Sequence, residues 1–326
     1  MRIGTNMMYD RALSAMLDRE REVSKTQQQL ATGRRILSPQ DDPAGSVRVL
    51  DLTQHIDTLT QHQTNLQRAR SRLELEDASL AGAVNLVQRA RELAVQGAND
   101  PLAQSDRTAL AYEIEQLRDE LLGLAKTRDA NGDFLFGGFQ GSAIPTAVEE
   151  NPVGSGIYVY NGDLGQRLIR ISHDRQIAEG DNGFDVFFDI GTRLDVDGDG
   201  TQDGARDAFS TLNLLAEALK GTAFPAPPSG NTYEDAGRIS NYIGELDSIL
   251  ANFTDTQAKV GARLNTLDQQ SMVNEDLMVS MQGTRSKDQD LDYASAITQY
   301  QQQMNALDAA QKSFMKMQDL SLFKYI

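Results

Sequence analysis

Between residues 44 and 100 the chain contains no proline, and one apolar stripe runs through the whole stretch. Alternating steps of four and three from Leu52 meet Ile56, Leu59, Leu66, Leu73, Leu80, Val84, Val87 and Ala94. Gln63, Arg70, Asp77 and Arg91 are the polar exceptions. A strand would send alternate residues to opposite faces, so this spacing predicts a single long amphipathic helix. Gly97 is expected to supply its positive-φ stop. Asp100 and Pro101 are then expected to cap and open a further helix reaching about Lys126.

The same stepping marks both ends of the chain more sparsely. Tyr9, Leu13, Met16, Val23 and Leu30 follow it near the start, with Glu20 and Gln27 interrupting. Tyr293, Ile297, Tyr300, Met304, Leu307 and Phe314 follow it near the end, with Gln311 and Gln318 interrupting. Each is a heptad-like seam too narrow to stabilise its helix alone, so the two are expected to be coiled partners. Aromatic residues make up 6% of the chain and there is no Trp, which suits long helices meeting along narrow seams. The expected fold class is mainly α, elongated, with long antiparallel helices, coiled-coil arms at the ends and a small inserted β/α domain.

The segment ATGRRILSPQDDPAGS, residues 31–46, breaks the helical pattern. Gly33 suits a helix end and Pro39 bars continuation. Asp42 and Pro43 supply the cap and first turn of the next helix. The segment reads as a joint that frees the first helix to take its own axis.

After Lys126 the pattern changes. DANGDFLFGGFQG carries an Asn-Gly turn signal among phenylalanines and reads as a hairpin-like junction. GIYVYNGDLGQRLIRIS reads as a pair of short strands and NGFDVFFDIG as a third candidate. A short helix from about Ala205 to Lys220 would place Phe209, Leu212, Leu215 and Leu219 on one face. A Pro-rich linker follows, and helix is expected to resume at Thr232 and continue towards residue 285. The expected division is terminal arms (1–40 with 285–326), a helical rod (41–137 with 231–284) and an inserted acidic β/α domain (138–230).

The formal charge of −16 argues against a nucleic-acid partner. Residues 138–230 hold fourteen acidic and six basic residues, whereas residues 1–40 hold four and seven. No window approaches 18 consecutive apolar residues, so no membrane span is expected. The start of the chain lacks the apolar run of a secretory signal, so export without a cleaved signal peptide is expected if the chain leaves the cytoplasm. There are no cysteines, which excludes disulfides and thiol chemistry.

Little in the chain suggests catalysis. In DVDGDGTQD, Asp195, Asp197, Asp199 and Asp203 fall at calcium-loop positions around Gly200, but Arg206 stands where the closing Glu belongs. Calcium is therefore the one candidate cofactor, and an acidic solvated turn is the competing reading. His55 and His62 are two helical turns apart, roughly 10 Å of rise, too far to share one ion, and read as surface residues. His173 has no triad partners. GGFQG and GDNG lack the Lys of a phosphate loop. Tyr293, Tyr300, Phe314 and Phe323 lack the interleaved cations of a nucleic-acid stacking platform. No enzymatic activity is expected.

Three segments carry a family resemblance. TGRRILSPQDDPAG resembles the motif after the first helix of flagellins and their relatives, KVGARLNTLDQQ the opening of their C-terminal helices, and LDYASAITQYQQQMNALDAAQKSF with SLFKYI their C-terminal arm. Within that superfamily, Asp41 to Gly45, the short middle insertion and the tail Phe323 to Ile326 resemble the hook-associated branch found where hook meets filament. The resemblance covers residues 1–137 and 231–326. It implies a secreted structural protein of the bacterial flagellum, exported unfolded by the flagellar type III apparatus. The partners it implies are copies of itself in a ring, the hook-proximal junction protein, flagellin and a cytoplasmic export chaperone on the C-terminal arm. Competing readings are a filament-forming flagellin and a calcium-dependent surface-binding protein on a helical stalk.

Overall fold

The computed structural model describes residues 5–99, 101–190, 193–194, 204–205, 207–221 and 235–319. Six helices account for most of them: α1 Thr5–Thr32, α2 Pro43–Gly97, α3 Gln104–Ala125, α4 Ala208–Lys220, α5 Asp235–Gln289 and α6 Tyr293–Asp319. Three antiparallel two-stranded ladders fall between α3 and α4. They pair β1 Val148–Glu150 with β2 Tyr158–Tyr160, β3 Leu168–Arg170 with β4 Gln176–Ala178, and β5 Arg193–Leu194 with β6 Gly204–Ala205. The fold is thus mainly α with a small β-containing region.

Backbone contacts divide the chain into two compact units, residues 1–60 with 275–326, and residues 61–274. This differs from the three-part division suggested by composition. Residues 134–219 do not close a core of their own. They share one with α2, α3 and α5, where Leu73, Leu80, Ile114, Leu246 and Phe253 are fully buried beside Phe136, Phe187 and Phe209.

The long α2 covers the proline-free stretch, and its stripe is the buried face: Leu66, Leu73, Leu80 and Val87 are all in the core. Asp42 caps it by accepting a 2.8 Å bond from the Gly45 N–H. The expected positive-φ stop at Gly97 is absent; Gly97 ends α2 without left-handed backbone. Its missing side chain serves packing instead, because a Cβ there would lie 2.3 Å from Leu219 Cδ2 of α4. The next helix also starts later than expected, at Gln104, with Ala103 as its cap. Asp100, one of the expected caps, and Thr232, where helix was expected to resume, lie outside the described residues.

α4 carries Phe209, Leu212, Leu215 and Leu219 buried as expected. Asp207 caps it by accepting from the Ser210 N–H at 2.7 Å, and Gly221 closes it with φ of 66°. The DANG turn is hairpin-like, bridging Arg128 to Phe134 around Gly132.

Two strand expectations are corrected. The strands in GIYVY and RLIRIS do not pair with each other; Tyr158–Tyr160 pairs back to Val148–Glu150, and Leu168–Arg170 pairs forward to Gln176–Ala178. Phe184–Phe188 is not a strand but a π-helical turn. A strand would split Val186, Phe187 and Phe188 between two faces, whereas the turn buries all three. Asn182 Oδ1 accepts from the Asp185 N–H at 2.9 Å, and Asn252 Nδ2 donates to the Asp185 and Val186 carbonyls. Side chains thereby satisfy polar groups that a ladder would otherwise pair.

Candidate assembly surface on the terminal helices

The unit of residues 1–60 and 275–326 is organised by two breaks clipped to each other. α1 ends where Gly33 takes φ of 69°, and its N–H donates to the Gln29 carbonyl at 2.8 Å. The Arg35 N–H donates to the Gln289 carbonyl at 2.8 Å, and the Leu291 N–H donates to the Gly33 carbonyl at 2.9 Å. The joint read from residues 31–46 therefore pairs with a second break at Asp290–Asp292, which separates α5 from α6. Asp292 caps α6 by accepting from the Ala294 N–H at 3.1 Å.

Ion pairs surround the clip. Arg48 contacts Asp288 at 3.1 Å, Arg35 contacts Asp42 at 3.3 Å, and Lys25 contacts Asp41 at 2.7 Å. The Lys25 hydrogen bond and the Ser38 and Leu37 amides hold the Asp41 carboxyl below its ordinary value of 3.8. The Gly45 amide, followed by Arg35, does the same for Asp42. Both values are depressed by folding, so their contribution is present above pH 3.8 and is lost as pH falls through the folded values. These contacts are largely exposed and fix geometry more than they add stability.

Substitution at Gly33 tests the joint. An alanine there would carry left-handed backbone and put its Cβ 2.8 Å from the Tyr293 hydroxyl. Gly33→Ala is expected to destabilise this unit by about 1–2 kcal/mol. Faster hydrogen exchange at the Leu291 amide, with unchanged exchange at Leu80, would register the loss.

α1 and α6 run antiparallel, with the Tyr9 and Phe314 rings 4.9 Å apart and Thr26 Oγ1 bonded to Gln303 Oε1 at 2.7 Å. Among the described residues of this unit the buried apolar side chains are Val23, Ile56 and Ala296. Leu13, Met16, Leu30, Tyr300, Leu307 and Phe314 are half-buried. Tyr9, Tyr293, Ile297 and Met304 remain 42%, 52%, 47% and 42% exposed. The structure thus brings Tyr9 and Phe314 together, while much of each expected seam still faces outward. Between the two helices runs a polar groove of about 700 Å³ lined by Thr26, Gln29, Ser295, Gln299 and Gln303.

Sequence reasoning missed further exposed apolar positions on this unit, four of them on α2 and α5. Val47 and Leu50 of α2 are 67% and 70% exposed, and Leu277 and Val279 of α5 are 45% and 69% exposed. The first two lie one turn apart, but both fall off the stripe that starts at Leu52. Periodicity identifies the buried stripe of α2; it carries no signal for apolar residues beside it.

The candidate chemistry is sparse. No group of three or more His, Cys, Asp or Glu side chains able to hold a metal occurs among the described residues. The calcium candidates Asp195, Asp197, Asp199 and Asp203 lie outside those residues, as does the aromatic tail with Phe323. His55 is a surface residue 3.6 Å from Asp51. His62 is not, being buried on α2, where burial and then Arg170 and His173 push its pKa down. No described helix is long and apolar enough to cross a membrane.

Comparison with known proteins finds likeness to flagellar proteins. Residues 3–140 match the bacterial flagellin N-terminal helical region. The chain is 29% identical over 327 residues to flagellar hook-associated protein 3 of Salmonella typhimurium, covering 99% of each chain. It is 29% identical over 325 residues to the protein of that name in Escherichia coli, again covering 99% of each. Its fold resembles the crystal structure of flagellar hook-associated protein-3 from Legionella pneumophila, with TM-score 0.61 and 24% identity, covering 72% of this chain and 97% of that one.

Proposed function

This is a flagellin-like chain whose end-to-end likeness is to flagellar hook-associated protein 3, and from that premise we propose that it is a structural subunit of the bacterial flagellum, seated where hook meets filament. It links the two by packing its terminal helices against those of neighbouring subunits. The observation that carries this reading is the outward-facing seam of α1 and α6, with Tyr293 and Ile297 about half exposed. Covering the exposed half of such a side chain contributes about 1 kcal/mol, roughly half of what full burial gives.

The balance of terms supports coupling of order to assembly. Ordering a residue costs about 1–2 kcal/mol of backbone entropy. α1 and α6 span 28 and 27 residues, while Val23, Ile56 and Ala296 are the buried apolar side chains of their unit among the described residues. In the reading proposed here the arms become fully ordered only when neighbouring arms complete their cores. The neighbours are copies of this chain in a ring, with the hook-proximal junction protein on one side and flagellin on the other. Before assembly the chain leaves the cell unfolded through the flagellar export apparatus, its C-terminal arm held by a cytoplasmic chaperone. The lack of cysteines suits a chain that must refold without redox help. The role is mechanical and involves no catalysis.

Deleting the gene in its host tests this. Hooks should form while unpolymerised flagellin appears in the medium. The wild-type gene should restore filaments, and Ile297→Glu combined with Met304→Glu should not, although the variant is exported. Normal filaments in the deletion strain would sink the proposal.

A further inference from the structure

Glu76 lies on α2 with no exposed surface, deep in the unit of residues 61–274. One oxygen, Oε1, accepts the Asp181 N–H at 3.0 Å, and Oε2 is buried without a partner. Neither nearby guanidinium donates a hydrogen bond to it, although Nε of Arg72 is also buried without a partner. Arg72 donates to Asp129 at 2.7 Å and to the carbonyls of Phe134 and Leu135 at 3.2 and 3.0 Å. Arg263 of α5 donates through both Nη atoms to the two oxygens of Asp181, each at 2.9 Å.

Counting charge in this cluster decides the state of Glu76. Arg72 balances Asp129 and Arg263 balances Asp181, so the two pairs are neutral without it. Farther out, Arg167 is engaged by Glu179 at 3.0 Å and by Asp133 at 3.5 Å. An ionised Glu76 would be an excess, desolvated negative charge facing the Asp181 carboxylate. A neutral acid has no such penalty.

We propose that Glu76 is a proton latch. Its neutral acid lies against the Glu179–Asn182 loop without repelling the Asp181 carboxylate, and its ionisation in alkaline surroundings sets the two carboxylates against each other and releases that loop. The loop joins β4 to the π-helical turn, and Asn182 within it accepts the Asp185 N–H of that turn at 2.9 Å. Its Glu179 also lines an open groove of about 1130 Å³ beside Arg68, Phe139 and Leu168. Opening the latch therefore loosens the aromatic turn and reshapes the groove together.

The sign follows from the environment. Burial, and next the Asp181 charge, push the Glu76 pKa up from 4.5 to about 8. Because the folded value is raised, the stabilising contribution is complete below pH 4.5 and is lost as pH rises towards 8.

The test uses the purified full chain. Urea unfolding is followed at pH 6 and pH 8 for the wild type and for Glu76→Gln, which keeps an acceptor for the Asp181 N–H and cannot ionise. Between those values the folding equilibrium constant of the wild type should fall at least about tenfold relative to the variant. Parallel pH profiles in the two proteins would overturn the proposal. Should Glu76→Gln not fold, ¹³C NMR of glutamate-labelled wild type decides. One side-chain carboxyl titrating in the neutral-to-alkaline range supports the latch, and titration of every glutamate in the acidic range overturns it.

Discussion

Removing residues 1–32 together with 293–326 is expected to leave the unit of residues 61–274 folded and to exclude the protein from the flagellum completely. The core of that unit, from Leu66 through Leu267, contains no side chain from α1 or α6. The trimmed protein should therefore keep a cooperative thermal transition by circular dichroism. It lacks both seams, and with them every side chain from Tyr9 to Leu30 and from Tyr293 to Phe314 that neighbouring arms would cover. Expressed in the deletion strain, it should restore no filaments and leave flagellin in the medium. Recovery of motility by the trimmed chain would show that assembly runs through some other surface.

Truncation of Phe187 is expected to be the most damaging single substitution in the larger unit. Its ring is 1% exposed and meets three others, Phe136 at 5.1 Å, Phe253 at 5.5 Å and Phe209 at 5.6 Å. Those partners come from the loop after α3, from α5 and from α4, so one ring ties three parts of the chain together. Phe187→Ala removes that ring and leaves a cavity that rigid helices cannot collapse, at a cost of about 3–5 kcal/mol. For a unit of this size the midpoint of thermal unfolding should fall by roughly 6–20 °C. Phe139, 63% exposed in the same segment, serves as the control; Phe139→Ala should change the midpoint little. Equal losses from the two substitutions would overturn the assignment of Phe187 as the buried anchor of the unit.

Much of the helical frame could be read directly from residue spacing. The stripe from Leu52 to Ala94 became α2 with its apolar positions inward, and Asp42 caps it as its place before Pro43 suggested. The joint at residues 31–46 was legible because glycine and proline act on the backbone locally. Its partner at Asp290–Asp292 was placed only roughly, at about residue 285, since DQDLDYA contains neither residue and is broken by pairing with Gly33 and Arg35 from the far end of the chain. The π-helical turn escaped for a related reason. FDVFF has the composition of a strand, and only Asn182 and Asn252 closing on its backbone make the turn the better solution.

By itself the sequence determined the periodic helices, the Asp42 cap, the first joint and the apolar residues of the terminal seams. These follow from backbone preferences and side-chain spacing within a few turns. Only the tertiary structure decided which short strands pair, that residues 134–219 share a core with the long helices, and that Glu76 is a third acid beside two ion pairs. Each of those depends on residues far apart in the chain arriving at one place. Burial and charge balance belong to the assembled neighbourhood, and spacing along a single segment carries no record of either.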